Sequence, residues 1–216
     1  MSGERFDQAT LDGWLDEDLA RINDESLWKE HKKGKGDGEE VVVFVHKPKD
    51  DSFWWFKVVA PMPSATLAQA NDLFDVSFAE RKKEWNDLYK GGKVVEKVND
   101  KTEVCHFQYD PAMMLMSARD VCYVKTRRDL DNGAFLLSYR SVEHEGAPVT
   151  KDFVRMELQG ANLIQPRPEG GILYTYIQHL DSKVPTLVAN KPLGGVMLKE
   201  TEARRKALSN PIVGSQ

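Results

Sequence analysis

The sequence predicts an α+β fold in which a curved antiparallel sheet wraps around one long C-terminal helix. Three observations indicate this: apolar residues recur at helical spacing near both ends of the chain, strand-like segments follow one another between them, and turn residues separate these segments. Strands joined by hairpins form an antiparallel sheet, and a terminal helix can cover its apolar face. No repeat or low-complexity linker interrupts the chain, so residues 1–216 are predicted to form one domain.

The N-terminal part predicts a helix followed by a hairpin. The helix is expected over about residues 10–31, with the Gly-Lys tract at 32–38 ending it. Its apolar residues are Leu11, Trp14, Leu15, Leu19 and Ile22. Two strands are predicted at 40–47 and 53–60, because apolar and β-branched residues flank the turn sequence KPKDDS.

Two short helices and a series of strands complete the prediction. Ser64 is the expected N-cap of a helix that runs through Leu73, and a second short helix is predicted around 78–89. Strands are then predicted at 93–98, 102–109, 118–129, 134–143, 152–165 and 171–180. Helical spacing returns over 184–209 and predicts the long C-terminal helix.

Composition excludes several classes of protein. The longest apolar runs, at 41–45 and 53–60, are far shorter than the ~20 residues that a membrane-spanning helix needs. The first ten residues lack an apolar secretory core, so a cytoplasmic protein is expected. The formal net charge of −4 argues against a nucleic-acid-binding protein. Two cysteines, Cys105 and Cys122, do not make a disulfide framework, although a cross-strand pair stays an alternative.

No catalytic or metal-binding pattern is visible. The chain has no nucleophile elbow, no phosphate-binding glycine loop and no metal-ligand spacing, and its five histidines are scattered. No cofactor, metal ion or catalytic residue is therefore predicted.

The predicted hairpin 102–109/118–127 has an unusual mixture of side chains. If its strands pair symmetrically about their connection, Cys105 faces Cys122 across the strands. One face then mixes apolar, aromatic, amide, imidazole and cationic groups: Val104, His106, Gln108, Arg119, Val121, Tyr123 and Lys125. Such a face suits a hollow interior that holds an amphiphile. The alternative is a register shifted by one residue, which exchanges the two faces.

Four motifs in register give the chain a family resemblance. The segment ARDVCYVKTRRDLD (118–131) resembles the arginine–aspartate strand of START domains, the lipid-transfer fold named after steroidogenic acute regulatory protein. It looks most similar to the phosphatidylcholine transfer protein branch. ERKKEWNDLY (80–89), DFVRMEL (152–158) and VPTLVAN (184–190) are similar to further motifs of that family, in the same order.

The resemblance implies a helix-grip fold with an internal tunnel that holds one lipid. Arg81 matches the arginine that pairs with the lipid phosphate in phosphatidylcholine carriers, and a guanidinium suits phosphate geometry. The positions that match the aromatic choline cage are Gln108, Val121 and Gln159, none of which is aromatic. Phosphatidylcholine is therefore not expected to be strongly preferred.

Lys125 matches the basic member of a buried charged pair in the sterol-binding branch. The acidic member aligns near Phe107, so this pair is predicted to be absent. Lys125 is expected to contact the ligand or an interior acid such as Glu157, because a lone buried ammonium is costly. The predicted lipid-binding residues are Arg81, His106, Gln108, Val121, Tyr123, Lys125 and Gln159. Asp120 is predicted to lie on the opposite face and to pair with Arg155.

The connection DPAMMLMSA (110–118) has an apolar tip where polar residues are usual. The resemblance implies that this loop and the C-terminal helix cover the tunnel mouth, and flexible thioethers suit a lid that contacts lipid. The predicted lid and membrane-contact residues are Met113, Met114, Leu115, Met116, Val196 and Met197. The alternative is a loop folded onto its own core.

The predicted function is that of a soluble carrier of one phospholipid or sterol-like amphiphile. Transient contact with a membrane surface, a monomeric state and no nucleic-acid partner are expected. Two alternatives stay open: a lipid-sensing interaction module, and an enzyme that uses His106 or Lys125 on a hydrophobic substrate in a similar hollow fold.

Overall fold

A single antiparallel sheet dominates the computed structural model, which describes residues 6–36, 38–76, 78–111 and 116–212, with the backbone alone for 76 and 186–192. Within these residues ten strands form the sheet. They are β1 (Lys29–Gly36), β2 (Glu39–His46), β3 (Trp55–Met62), β4 (Tyr89–Asn99), β5 (Thr102–Tyr109), β6 (Ala118–Asp129), β7 (Phe135–Ser141), β8 (Phe153–Arg155), β9 (Glu157–Pro166) and β10 (Ile172–Asp181). The helices are α1 (Gln8–Asn23), α2 (Leu67–Asn71), α3 (Phe78–Arg81) and α4 (Thr186–Leu208).

The strand order is β1-β2-β3-β10-β9-β7-β6-β5-β4, and β8 pairs in parallel with β6. All other neighbours are antiparallel. The predicted α+β fold, a long curved antiparallel sheet with a C-terminal helix, is confirmed. The implied tunnel stays a prediction, since its expected cover includes residues 112–115, which lie outside the described residues.

The two faces of the sheet have different partners. The inner face carries the largest hydrophobic cluster, which α4 and the segment between β3 and β4 cover. The outer face packs on α1, whose Leu15 and Ile22 form one buried cluster with Leu136 and Ile177 of the sheet. Asp18 fixes α1 on this face, because its buried carboxylate accepts hydrogen bonds from Arg140 at 2.8 and 2.9 Å.

The predicted N-terminal helix is too long. Helix α1 ends at Asn23, where the Asp24 side chain accepts a hydrogen bond from the Ser26 amide at 3.0 Å and starts a tight turn. Residues predicted as the end of the helix and a loop instead form β1, which pairs with β2. Strand β1 (KEHKKGKG) lies at the sheet edge and is mostly exposed, so it lacks the apolar alternation that identifies a strand.

Other boundaries agree with the prediction to varying degrees. Strands β5 and β6 have the predicted bounds, whereas the segment predicted as one strand over 152–165 divides into β8 and β9 at Met156. Thr66, rather than Ser64, caps α2, and its side chain forms a reciprocal capping box with Gln69. The helix predicted over 78–89 ends at Arg81 and continues as one 3₁₀ turn, Lys82–Glu84.

The predicted register of the β5–β6 hairpin is wrong by one residue. Cys105 pairs with Tyr123, and His106 pairs with Cys122. Because side chains alternate between faces, this shift exchanges the faces of β5 relative to β6. Cys105 therefore belongs to the inner cluster and Cys122 to the outer one, and the two do not form a disulfide with each other.

Candidate functional site

The interior between the sheet and α4 is lined mainly by aromatic rings. Their centroids approach closely: Phe74 stacks on Tyr174 at 4.9 Å, and Tyr123 meets Tyr139 edge-on at 5.6 Å. The buried rings are Phe74, Phe78, Trp85, Tyr89, Phe107, Tyr123, Tyr139, Tyr174 and Tyr176. Asn162 adds two hydrogen bonds, since it donates to the Tyr139 hydroxyl at 2.7 Å and accepts from the Tyr174 hydroxyl at 3.1 Å. A largely apolar wall with a few fixed polar groups is typical of ligand sites.

Lys82 brings a cation into these rings. Its Nζ lies 4.4 Å from the centroid of Phe78, 5.4 Å from Phe107, and 5.8 Å from both Trp85 and Tyr109. The residue is only 9% exposed. Burial, together with the charge of Arg204, lowers the pKa of Lys82 to about 7. Lys82 is not among the predicted site residues, although it follows Arg81 directly in the same motif.

Helix α4 contributes a second cation. The Arg204 guanidinium lies over the Tyr176 ring, with its carbon 4.7 Å from the centroid, and donates through Nη2 to Glu200 at 3.1 Å. The hydroxyls of Tyr174 and Tyr176 also lie within hydrogen-bonding reach of the guanidinium, but its buried Nη1 has no well-aligned acceptor among the described residues. Glu200 raises the pKa of Lys82 while Arg204 lowers it, so the three charges act on one another. We call Lys82, Glu200 and Arg204 the interior charge cluster.

Arg81, the predicted phosphate ligand, is 1% exposed and already has protein partners. Its Nη1 donates to Asp72 at 2.5 Å, its Nε to Glu84 at 2.8 Å, and its Nη2 to the Ala207 carbonyl at 2.5 Å. The guanidinium therefore joins the turn after α2 to the C-terminal end of α4, where a cation is favourable. This geometry gives Arg81 a structural role, and its contact with a lipid phosphate stays a prediction.

Lys125 also has acidic partners. Its Nζ lies 2.6 Å from Asp75 and 2.9 Å from Glu103, the residue directly opposite on β5. The prediction that a buried cross-strand charged pair is absent is therefore wrong, because it depended on an alignment that placed the acid near Phe107. Glu157, the acid proposed for Lys125, pairs with Lys183. Lys125 on the inner face of β6 thus holds the turn at Asp75 through an ion pair.

Three further predicted lipid-binding residues lie on the outer face: His106, Gln108 and Gln159. His106 Nε2 is 2.8 Å from an Asp120 oxygen, and the same carboxylate accepts from Arg155 at 2.8 and 2.9 Å. The predicted Asp120–Arg155 pair is confirmed. Of the other predicted residues, Val121 and Tyr123 belong to the inner cluster.

Comparison with known proteins now identifies the family. The family model described as "START domain" matches residues 19–211. The chain belongs to the START domain family. In solved structures, human STARD10 has a TM-score of 0.81 with this START domain at 19% identity, covering 94% of this chain and 80% of that one. Human StAR-related lipid transfer protein 5 gives 0.79 at 19% identity, covering 91% and 93%. At these identities the likeness shows the fold alone.

A plant protein shares part of the sequence of this START domain. Protein ENHANCED DISEASE RESISTANCE 2-like from Arabidopsis thaliana is 34% identical over 101 residues. The match covers 45% of this chain and 14% of that protein, well below two thirds of its length. This START domain therefore spans only a small part of the length of that relative.

The predicted lid of this START domain is only partly described. Met113, Met114 and Leu115 lie outside the described residues, while Met116 is half-buried. Val196 is 44% exposed, whereas Met197 is 2% exposed and packs in the inner cluster. Met197 is therefore a core residue in this structure, because the two neighbours on α4 point in different directions. None of the described helices combines the length and apolar character that crossing a membrane requires.

An open cleft of about 490 Å³ lies on the outer face, bordered among others by Arg140, Arg155 and Gln159. Its size would admit a small ligand. However, Asp18 neutralises Arg140 and Asp120 neutralises Arg155. Since these arginines already have carboxylate partners, the cleft offers less to select a ligand than the interior does.

Proposed function

We propose that this START domain binds one amphiphile between the sheet and α4 and carries it between membranes. The observation that supports this most directly is Lys82, a cation surrounded by aromatic rings on the inner side of the sheet. Among the side chains that the structure describes, no carboxylate forms an ion pair with Lys82, and such a buried ammonium is costly, which favours a ligand that supplies negative charge. The apolar rings around it suit acyl chains.

The family supports the same proposal. The human structure that resembles this chain with a TM-score of 0.79 is described as a lipid transfer protein. A monomer that contacts membranes transiently in the cytoplasm fits this role. The exposed Val196 and the apolar segment 113–116 are the proposed points of contact with the bilayer.

Binding is proposed here in preference to catalysis. The catalytic alternative relied on His106 or Lys125 in the interior, but His106 lies on the outer face and Lys125 pairs with Asp75 and Glu103. A lipid-sensing module would use the same interior, and measured transfer between vesicles separates it from a carrier. We also propose that this START domain belongs to the phosphatidylcholine transfer protein branch and that it does not select a choline head group.

Native mass spectrometry followed by lipid extraction tests binding, and transfer of labelled lipid between vesicles without ATP tests carriage. Leu193→Trp would fill part of the interior beside α4, while Val149→Trp on the exposed outer surface is the matched control. We expect Leu193→Trp to reduce both ligand occupancy and transfer while both variants melt cooperatively. A purified protein that releases no amphiphile and transfers none would refute the proposal.

A further inference from the structure

We infer that the interior selects amphiphiles with a net negative head group, a carboxylate or a phosphate without an attached ammonium, and that Arg204 on α4 binds its oxygens. This inference rests on the proposed function, since it concerns the ligand of the same interior. It is carried by three observations: the rings around Lys82, the unpartnered Nη1 of Arg204, and the balance of charge in the interior charge cluster.

The rings around Lys82 argue against a quaternary ammonium. A choline group binds in proteins by cation–π contact with a group of aromatic faces. Here Phe78, Phe107, Trp85 and Tyr109 already surround the Lys82 ammonium at 4.4–5.8 Å. A second cation in the same place would lose that contact and would be repelled by Lys82 at short distance. The aromatic cluster is thus filled by the protein's own cation.

Arg204 is oriented to receive an anion. Glu200 holds its Nη2 at 3.1 Å, one helical turn away on α4, and the Tyr176 ring supports the guanidinium plane. Nη1 is left buried without a hydrogen-bond partner among the described residues. An unpaired buried donor is costly, and a ligand oxygen that accepted from Nη1 would remove that cost.

The charges add to one unit. With Lys82 protonated, the interior charge cluster contains two cations and the Glu200 carboxylate, a net charge of +1. A single negative charge on the ligand neutralises it, whereas a zwitterion leaves its ammonium near two cations. Because Arg204 lies on α4 and Lys82 in the turn before β4, an anion bound by both would connect the helix to that turn.

The test compares lipids that share acyl chains and differ in head group. Donor vesicles contain equal fractions of labelled phosphatidic acid, phosphatidylglycerol, fatty acid and phosphatidylcholine, and the amount of each bound to the protein is measured. We expect the anionic lipids to exceed phosphatidylcholine by about tenfold or more, as a charge-assisted hydrogen bond implies. The fatty acid and phosphatidic acid samples separate carboxylate from phosphate, and inorganic phosphate as competitor separates a lipid from a free anion.

Arg204→Met should reduce this preference about tenfold. Arg21→Met is the matched control, since Arg21 also lies over a ring, Trp55, and also pairs with a glutamate one turn away, Glu17. That variant should keep the preference of the wild-type protein. If Arg204→Met does not fold, Lys82→Met provides the same comparison from the other side of the cluster.

The outcomes are distinct. Binding of lipid with equal or greater occupancy by phosphatidylcholine would refute this inference and leave the proposed function intact. An anionic preference that persists in folded Arg204→Met would refute the role of Arg204. Displacement of lipid by millimolar inorganic phosphate would show that the site recognises the free anion. Absence of any bound amphiphile would refute the proposed function itself.

Discussion

Arg81 and Lys82 show that two neighbouring cations can have different surroundings in the folded protein. Arg81 and Lys82 are adjacent cations in the motif ERKKE, and the sequence gives no sign of which faces inward. Arg81 is bound by Asp72, Glu84 and the end of α4, while Lys82 lies among rings. The turn from α3 into the 3₁₀ segment decides between them, and its geometry depends on contacts with α4 that are remote in sequence.

Lys82→Met should stabilise the ligand-free protein by on the order of 2 kcal/mol at pH 7, because methionine removes a buried charge and keeps the volume. The pKa of Lys82 is lowered to about 7 by burial and Arg204, so the folded state binds fewer protons than the unfolded state between about pH 7 and the ordinary lysine pKa. Wild-type stability should rise with pH in that range. The advantage of the variant is therefore largest at pH 7 and shrinks toward pH 10 in paired thermal melts.

A constant difference across that range would mean that Lys82 titrates normally. Lys101→Met, which removes an exposed lysine paired with Asp129, is the control and should change stability little at any pH.

Asp120→Ala should lower stability by about 3 kcal/mol while leaving the ligand profile unchanged, because it leaves Arg155 and His106 without their carboxylate. Burial alone would raise the pKa of Asp120, but hydrogen bonds from Arg155 and His106 outweigh it and hold that pKa below its usual value. The stabilisation is thus present above pH 4 and is lost as pH falls. Denaturant melts at pH 7 and pH 3 measure it. An altered lipid profile at unchanged stability would contradict this assignment.

At the level of elements, patterns with strong periodicity were predictable and irregular ones were not. The bounds of β5 and β6 follow from alternation and flanking turns. Strand β1 escaped prediction because its exposed lysines carry no pattern, and the register of β5 against β6 was wrong since the long connection between them allows either face inward. That single shift misplaced His106 and Gln108 and hid the Glu103–Lys125 pair.

Helix α4 is anchored at its end by Arg81. Arg81→Met should cost about 3–5 kcal/mol, because the buried Asp72 would lose its ion pair with Arg81 and the Ala207 carbonyl would lose its donor. Hydrogen exchange should show faster exchange in the last turns of α4. Arg128→Met, which removes a cation paired with the more exposed Asp12 and Asp16, is the control and should cost far less. Equal losses in both variants would argue against an anchoring role.

At the scale of the whole molecule, the predicted tunnel between the sheet and α4 is expected to open at residues 110–118. Met113→Ser with Met114→Ser should slow lipid transfer and weaken vesicle binding at little cost to stability, because lid residues exchange their apolar contacts with bilayer or ligand. A core role predicts a loss of about 2–5 kcal/mol for each buried methionine. Thermal melting and transfer, measured on the same double variant, decide between these roles.

Val149→Ser on the outer surface is the control. Val149 is 66% exposed and is distant in sequence from residues 110–118, where the opening is predicted. Reduced stability with unchanged transfer per folded molecule would contradict the lid.

The pairing of β3 with β10 has a consequence for how the chain folds. Residues 55–62 pair with residues 172–179, so this part of the sheet joins segments separated by about half of the chain. Non-local strand pairing of this kind slows folding, because a long loop must close before the contacts stabilise it. During synthesis, the hairpin of β2 and β3 would leave the ribosome early. The edge of β3 that pairs with β10 would then stay unpaired until β10 had been synthesised. We therefore expect a chaperone that acts during synthesis to bind at this edge of β3.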